Sequence, residues 1–185
     1  NKLKIDLDEK EQKLLLSIIE NEPITAYKIA LYNSMHFSYV YKKMEQFESE
    51  ELVAHFRKPG DGRKLYYALP KGVMAAMAHG LGSRRLLVEK LRSKWGLADF
   101  ADEEISVLVK VLAQNYRHGL PLNDIVMSSY YLYIHYLSDD IVISSDYKFV
   151  LDKLFKRAFE TLLGVVGERC AKACREEVAR REFIT

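Results

Sequence analysis

At 185 residues, 49% of them apolar, the chain has material for one domain or two small ones. Its longest unbroken apolar runs last only a few residues, which excludes the ~20-residue hydrophobic helix of a membrane span. Net charge is +2, so a polyanionic partner must be argued from where the cations lie and not from their total.

The opening NKLKIDLDEKEQ carries charges where a secretory leader needs an apolar core, so a cytoplasmic location is expected. Gln and Thr are scarce while Tyr and charged residues are plentiful, a composition that leans toward a thermophile.

Asp6 or Asp8 can cap a first helix that runs to about Asn21 and presents Leu14, Leu15, Ile18 and Ile19 on one face. Glu22-Pro23 ends it. Thr25 caps a short second helix that buries Ile29 and Ala30 and stops near Tyr32. After a polar break at Asn33-Ser34, a third helix is expected from His36 or Phe37 to about Glu50. Val40, Met44 and Phe47 form its inner stripe. Rotation then puts Ser38, Tyr39, Lys42, Lys43 and Gln46 on or near its outer face. Two strand-like runs follow, Leu52 to Arg57 and Leu65 to Leu69. The loop between them holds Pro59-Gly60-Asp61-Gly62, which is turn chemistry, flanked by Arg57, Lys58, Arg63 and Lys64. The glycine spacing of a phosphate-binding nucleotide loop is missing there, as is the strand-to-helix context.

This order of helix, turn, helix and basic hairpin resembles a winged helix-turn-helix DNA-binding domain. It is most similar to PadR-like regulators, with MarR-like ones next. The resemblance covers roughly residues 8 to 80 and rests on ordered segments. These are Leu15 to Ile19, Pro23 to Ala30, Val40-Tyr41 with Met44, Phe47 and Leu52-Val53, then Gly62-Arg63 and Tyr66 to Gly72. The chain departs from the pattern at Glu51, where the family usually has Gly, at His36, where a small hydroxyl residue often caps the helix, and at Pro70, where Thr is common. The turn out of the third helix is therefore expected to differ. The resemblance implies that Ser38, Tyr39, Lys42, Lys43, Gln46, Arg57, Lys58, Arg63 and Lys64 meet double-stranded DNA. The chemistry suits this: lysines neutralise phosphates, glutamine pairs with adenine, and tyrosine hydrogen-bonds a phosphate. A plain solvated helix face and hairpin are the bland alternatives. Glu45, Glu48, Glu50 and Glu51 are unhelpful to DNA, but they gather toward the helix C-terminus.

Beyond Pro70 a helix with Val73, Met74 and Met77 is broken at Gly80-Leu81-Gly82. A basic run from Ser83 to Trp95 follows, read first as a connecting helix and second as a further phosphate contact. A domain boundary is expected near Gly80 to Ser83, giving a DNA-binding domain over 1–80 and a helical domain over 81–185. In the latter, Asp102-Glu103-Glu104 opens a helix with Ile105, Leu108, Val109 and Leu112, and Gly119 closes it. Pro121-Leu122-Asn123 begins the next, which ends near Ser138-Asp139-Asp140. A last segment from about Ser145 to Glu182 carries Tyr147, Leu151, Leu154, Phe155, Leu162, Val166 and Cys170 along a stripe suited to pairing with a second copy. Gly164-Val165-Val166-Gly167 is where it would kink, break or let another helix come close.

Tyr130, Tyr131, Tyr133 and His135 can be read as an aromatic effector pocket, as in phenolic-responsive members of the resembled families, or as core and dimer interface. Cys170 and Cys174, with Glu168 or Glu177, lack the ligands of a zinc site, so no metal or cofactor is expected. No Ser-His-Asp or Cys-His order or paired carboxylates stand out, and the chain is not read as an enzyme. The fold expected is mainly α with a small β-hairpin wing. The expected function is a homodimeric, sequence-specific transcriptional regulator. A winged-helix scaffold module and an architectural DNA-binding protein are the alternatives.

Overall fold

The computed structural model describes residues 3, 5–116, 119–138 and 143–182, and some side chains beyond residue 161 lie outside that description. The chain divides into two compact units, Asn1–Asp124 and Ile125–Thr185. The first holds α1 (Glu9–Asn21), α2 (Ala26–Asn33), α3 (Phe37–Ser49), β1 (Val53–Phe56), β2 (Leu65–Ala68), α4 (Pro70–Ala78), α5 (Arg84–Trp95) and α6 (Asp102–Gln114). It is mainly helical with one antiparallel hairpin, the architecture of a winged helix-turn-helix.

Local chemistry accounts for where these elements begin. Asp8 caps α1 and forms a reciprocal box: the Glu11 amide donates to Asp8 at 2.8 Å and the Asp8 amide to Glu11 at 3.1 Å. Thr25 accepts from the Lys28 amide at 3.3 Å to open α2. Pro70 occupies the first turn of α4, where its missing N–H costs nothing. That explains how proline can stand where the resembled family has threonine.

Helix ends are equally specific. Ser34 (φ 51°) and Glu51 (φ 60°) lie in the left-handed region that glycine usually fills. After α3, the Leu52 amide donates to the Phe47 carbonyl at 2.9 Å and the Glu51 amide to the Glu48 carbonyl at 3.0 Å. The turn out of α3 thus holds a left-handed backbone with glutamate where the resembled family has glycine. Asn123 reinforces it by donating to the Glu51 carbonyl at 3.0 Å.

Leu14, Leu15, Ile18 and Ile19 of α1 meet Ile29, the α3 stripe Val40, Met44 and Phe47, and Val73 and Met74 of α4 in one fully buried core. Each such large side chain contributes roughly 1.5–3 kcal/mol of burial. The hairpin pairs Val53 with Ala68, Ala54 with Tyr67, His55 with Tyr66 and Phe56 with Leu65. Ile24 adds a bridge to Tyr66 through bonds of 3.0 and 2.8 Å, which anchors the wing's return strand to the segment entering α2. Gly72 is needed beneath the hairpin, because a Cβ there would lie 2.1 Å from the Leu52 carbonyl oxygen.

This unit runs past Gly80. Lys90 and Lys94 of α5 both reach Glu22, at 3.1 and 2.7 Å, and Arg92 pairs with Glu89 and Asp102. Trp95 donates to the Leu122 carbonyl at 3.0 Å. Three of the five cations in the basic run of α5 are thereby paired within the unit, while Arg84 and Arg85 stay exposed.

The second unit holds α7 (Ile125–Leu137), a short 3-10 turn at Ser145–Tyr147 and α8 (Lys148–Glu182), which spans 35 residues. Leu132 of α7 is buried with Val150, Leu151, Leu154 and Ala158 of α8. Gly164 and Gly167 lie within the continuous helix, and a Cβ at either would meet no described atom within 4 Å. Of the alternatives of kink, break or close approach, the helix shows no break here. The side chains of Leu162, Val166, Glu168, Cys170 and Cys174 lie outside the description. Among the described residues no helix is long and apolar enough to cross a membrane, and no three His, Cys, Asp or Glu gather around a common point.

Candidate nucleic-acid interface

With Val40, Met44 and Phe47 turned inward, a rotation of ~100° per residue gives α3 three further aspects. Ser38 and Lys42 point directly outward and are exposed. Tyr39, Lys43 and Gln46 fall on the side facing α1. Phe37, Tyr41 and Glu48 fall on the side facing the wing.

The α1 side is internally bonded. Glu11 is only 7% exposed. Lys43 reaches it at 3.5 Å, and Gln46 bonds Glu11 at 3.5 Å and Glu50 at 3.0 Å. Tyr39 lies under the ammonium groups of Lys10 and Lys43, at 5.5 and 5.7 Å from its ring centre. Three of the five α3 residues expected at DNA thus have partners on or beside the α1 side, Lys43 because Glu11, distant in sequence, supplies a counter-charge, while Gln46 stays exposed.

The wing side is different. Arg57 and Lys58 are exposed and make no ion pair among the described residues, and the same holds for Lys42 and for Lys28 on α2. Lys64 lies 5.5 Å from the centre of the Tyr41 ring. Arg63 is occupied: its guanidinium donates to both carboxylate oxygens of Asp61, the shortest bond being 2.7 Å. That hydrogen bonding holds the Asp61 carboxyl down at about 2, so the pair is close to neutral across ordinary pH. His36 makes no side-chain cap at the start of α3. The first amides of that helix are thereby left for an anion.

Between α2, the start of α3 and the wing lies a cleft of about 570 Å³. Its walls include Tyr27 and Leu31 from α2 and Phe37 and Tyr41 from α3, each pair four residues apart. Phe37 and Tyr41 stack at 5.9 Å with 29° between ring planes. Arg57, Lys64 and Lys28 add charge to the same cleft, and buried Tyr66 also lines it. Burial pushes the Tyr66 hydroxyl up to about 12, and among the described residues it is the buried side-chain polar atom without a hydrogen-bond partner. Tyr27, Lys28, Leu31, Phe37 and Tyr41 are not among the residues that sequence reasoning places at DNA. A signal for them exists: Tyr27 and Leu31 fall outside the Ala26, Ile29 and Ala30 stripe that buries α2.

Of the residues read as an effector pocket or as core and interface, the three tyrosines are placed by their ring contacts. Tyr133 packs edge-on against Phe155 and Phe159 of α8 at 5.4 and 5.1 Å, while Tyr130 and Tyr131 are exposed and touch each other at 6.3 Å. A cavity of about 230 Å³ in this unit is lined by Tyr136, Leu151 and Phe155 among others, and neither those three tyrosines nor His135 line it.

No protein-family model matches the sequence, and no curated protein matches it. Solved structures do overlap it. A zinc-responsive MarR family member, ZitR of Lactococcus lactis, is 19% identical with a TM-score of 0.40, over 62% of this chain and 78% of that one. FabT of Streptococcus pneumoniae, solved in complex with DNA, is 20% identical with a TM-score of 0.39, over 60% and 75%. The PcaV transcriptional regulator of Streptomyces coelicolor, solved with its natural ligand, is 13% identical with a TM-score of 0.39, over 64% and 80%.

Proposed function

We propose that this protein is a sequence-specific, double-stranded DNA-binding transcriptional regulator that acts as a homodimer. The observation that carries the reading is the wing-facing side of α3. There the uncapped helix start lies beside Lys28, Arg57 and Lys64, which line one cleft and make no ion pair among the described residues, and exposed Ser38 and Lys42 stand on the adjoining outer face. The N-terminal half of such a helix can enter the major groove while the hairpin follows the phosphates. Exposed Tyr130, Ile134, Leu137 and Phe149 in the second unit support pairing of two copies, since apolar area of this kind suits a subunit interface. Two copies would meet half-sites about 34 Å apart. The resemblance to PadR-like and MarR-like regulators belongs to the same proposal.

The test is a titration of labelled duplex across a range of salt concentrations. Removing one cation from the phosphates should flatten the log-log salt slope by about 0.9, so Arg57→Ala with Lys42→Ala should remove nearly twice that. Lys43→Ala should change it little. Absence of a complex at micromolar protein and low salt overturns the proposal. It would favour a winged-helix module that binds protein, a reading to which exposed Glu45 beside Lys42 also points.

A further inference from the structure

We infer that the cleft between α2, α3 and the wing is a binding site for an unpaired nucleotide, so that the protein holds single-stranded nucleic acid as well as duplex. The inference goes beyond duplex recognition and starts from what duplex recognition leaves unexplained. Tyr27 is 61% exposed and Phe37 50%, in a unit that buries every large aliphatic side chain of its core stripes. Large apolar groups left together at the surface mark a contact site. In a stacked duplex each base face is covered by its neighbours, and the grooves offer only edges and thymine methyls. Rings such as these would have little to meet there.

An unpaired base has the matching surface. It presents a flat apolar face to aromatic side chains and carries a phosphate on either side, and proteins that grip single strands combine stacking rings with a cationic track. Both parts are present. The i, i+4 pairs Tyr27/Leu31 and Phe37/Tyr41 supply walls from two helices, while Lys28, Arg57 and Lys64 supply charge. About 570 Å³ falls within the size range of small-molecule sites, which a nucleotide fills comfortably. A lone small anion would need one of these cations and none of the rings. Lys42 and Lys58 extend the charge beyond the cleft on exposed positions, as a continuing sugar-phosphate chain would require. Tyr66, whose buried hydroxyl no described group satisfies, also lines the cleft.

The experiment compares the full chain's affinity for a labelled thymidine oligomer with that for an abasic oligomer of equal length and charge. Stacking of even one base should favour the thymidine strand at least about fivefold. Phe37→Ala and Tyr27→Ala, both at exposed positions, should shrink that preference while leaving the salt slope unchanged. Equal affinity for the two strands, or a preference untouched by both substitutions, overturns the inference. Duplex binding measured on the same samples separates the two readings. Duplex bound without any base preference removes this inference alone, and a thymidine preference without duplex binding removes the regulator reading alone.

Discussion

The two flanks of α3 belong to one helix and share one buried stripe, yet they are finished in opposite ways. On the α1 side Lys43, Gln46 and Tyr39 are tied to Glu11, Glu50 and Lys10, and the polar groups there find partners within the protein. On the wing side aromatic rings are exposed, Arg57 has no ion pair among the described residues and a buried hydroxyl goes unsatisfied. A sequence-level count of cations treats both sides alike. What separates them is whether the fold itself has already supplied the counter-charge. Among the described residues of the two flanks the exposed rings and the unsatisfied buried hydroxyl lie on the wing side, although Glu48 there pairs with His55 and Arg63 with Asp61, and such violations mark functional surfaces.

The most damaging way to break this contrast is to remove its shared support. Phe47 is fully buried at the end of the inner stripe and is followed at once by the turn into the hairpin. Phe47→Ala should cost about 3–5 kcal/mol, the usual range for a large aromatic deleted from a packed core. Chemical denaturation would measure it. Duplex affinity should fall with stability and recover when an uncharged osmolyte such as sucrose or a lower temperature refolds the variant. A destabilisation below about 1 kcal/mol would mean that the stripe does not hold the helix.

A smaller change sharpens the contrast by acting on the wing flank alone. The Tyr66 hydroxyl is buried and unpartnered, and keeping such a donor away from water costs about 1–3 kcal/mol. Tyr66→Phe keeps the ring against His55, 5.7 Å away, and deletes the unsatisfied atom. Stability should rise by about 1 kcal/mol, the opposite of the usual sign for a buried substitution. A clear destabilisation would show that the hydroxyl is satisfied in solution and that this flank is no less complete than the other.

Much of this architecture is legible in the sequence. The spacing of Val40, Met44 and Phe47, the caps at Asp8 and Thr25, and the Pro59-Gly60-Asp61-Gly62 turn each follow from local periodicity or turn chemistry, and the elements fall where those signals put them. The allocation of side chains within the candidate site is not legible in the same way. Lys43 is drawn toward Glu11, far away in sequence, and helical rotation alone cannot weigh that attraction. Arg63 is a different case, because Asp61 is two residues away and the loop itself announces the pair. Glu51 shows a third kind of limit. Preference predicts glycine at a left-handed position, but paired carbonyls and Asn123 hold the turn with glutamate there.

The gentlest test moves a cation from the closed flank to the open one. Glu11 serves two ends: it closes the capping box of α1, and its carboxylate draws Lys43 and Gln46. Glu11→Gln preserves the box, since glutamine accepts from the Asp8 amide as glutamate does. The substitution removes only the negative charge. Lys43 is then released from its partner and can turn outward beside Lys42, adding at most one phosphate contact. Duplex affinity at moderate salt should rise about twofold to threefold and the salt slope should steepen by no more than about 0.9. A fall in affinity with unchanged stability would mean that the Glu11 pair positions Lys43 for DNA instead of withholding it. The α1 flank would then have to be counted as part of the binding surface.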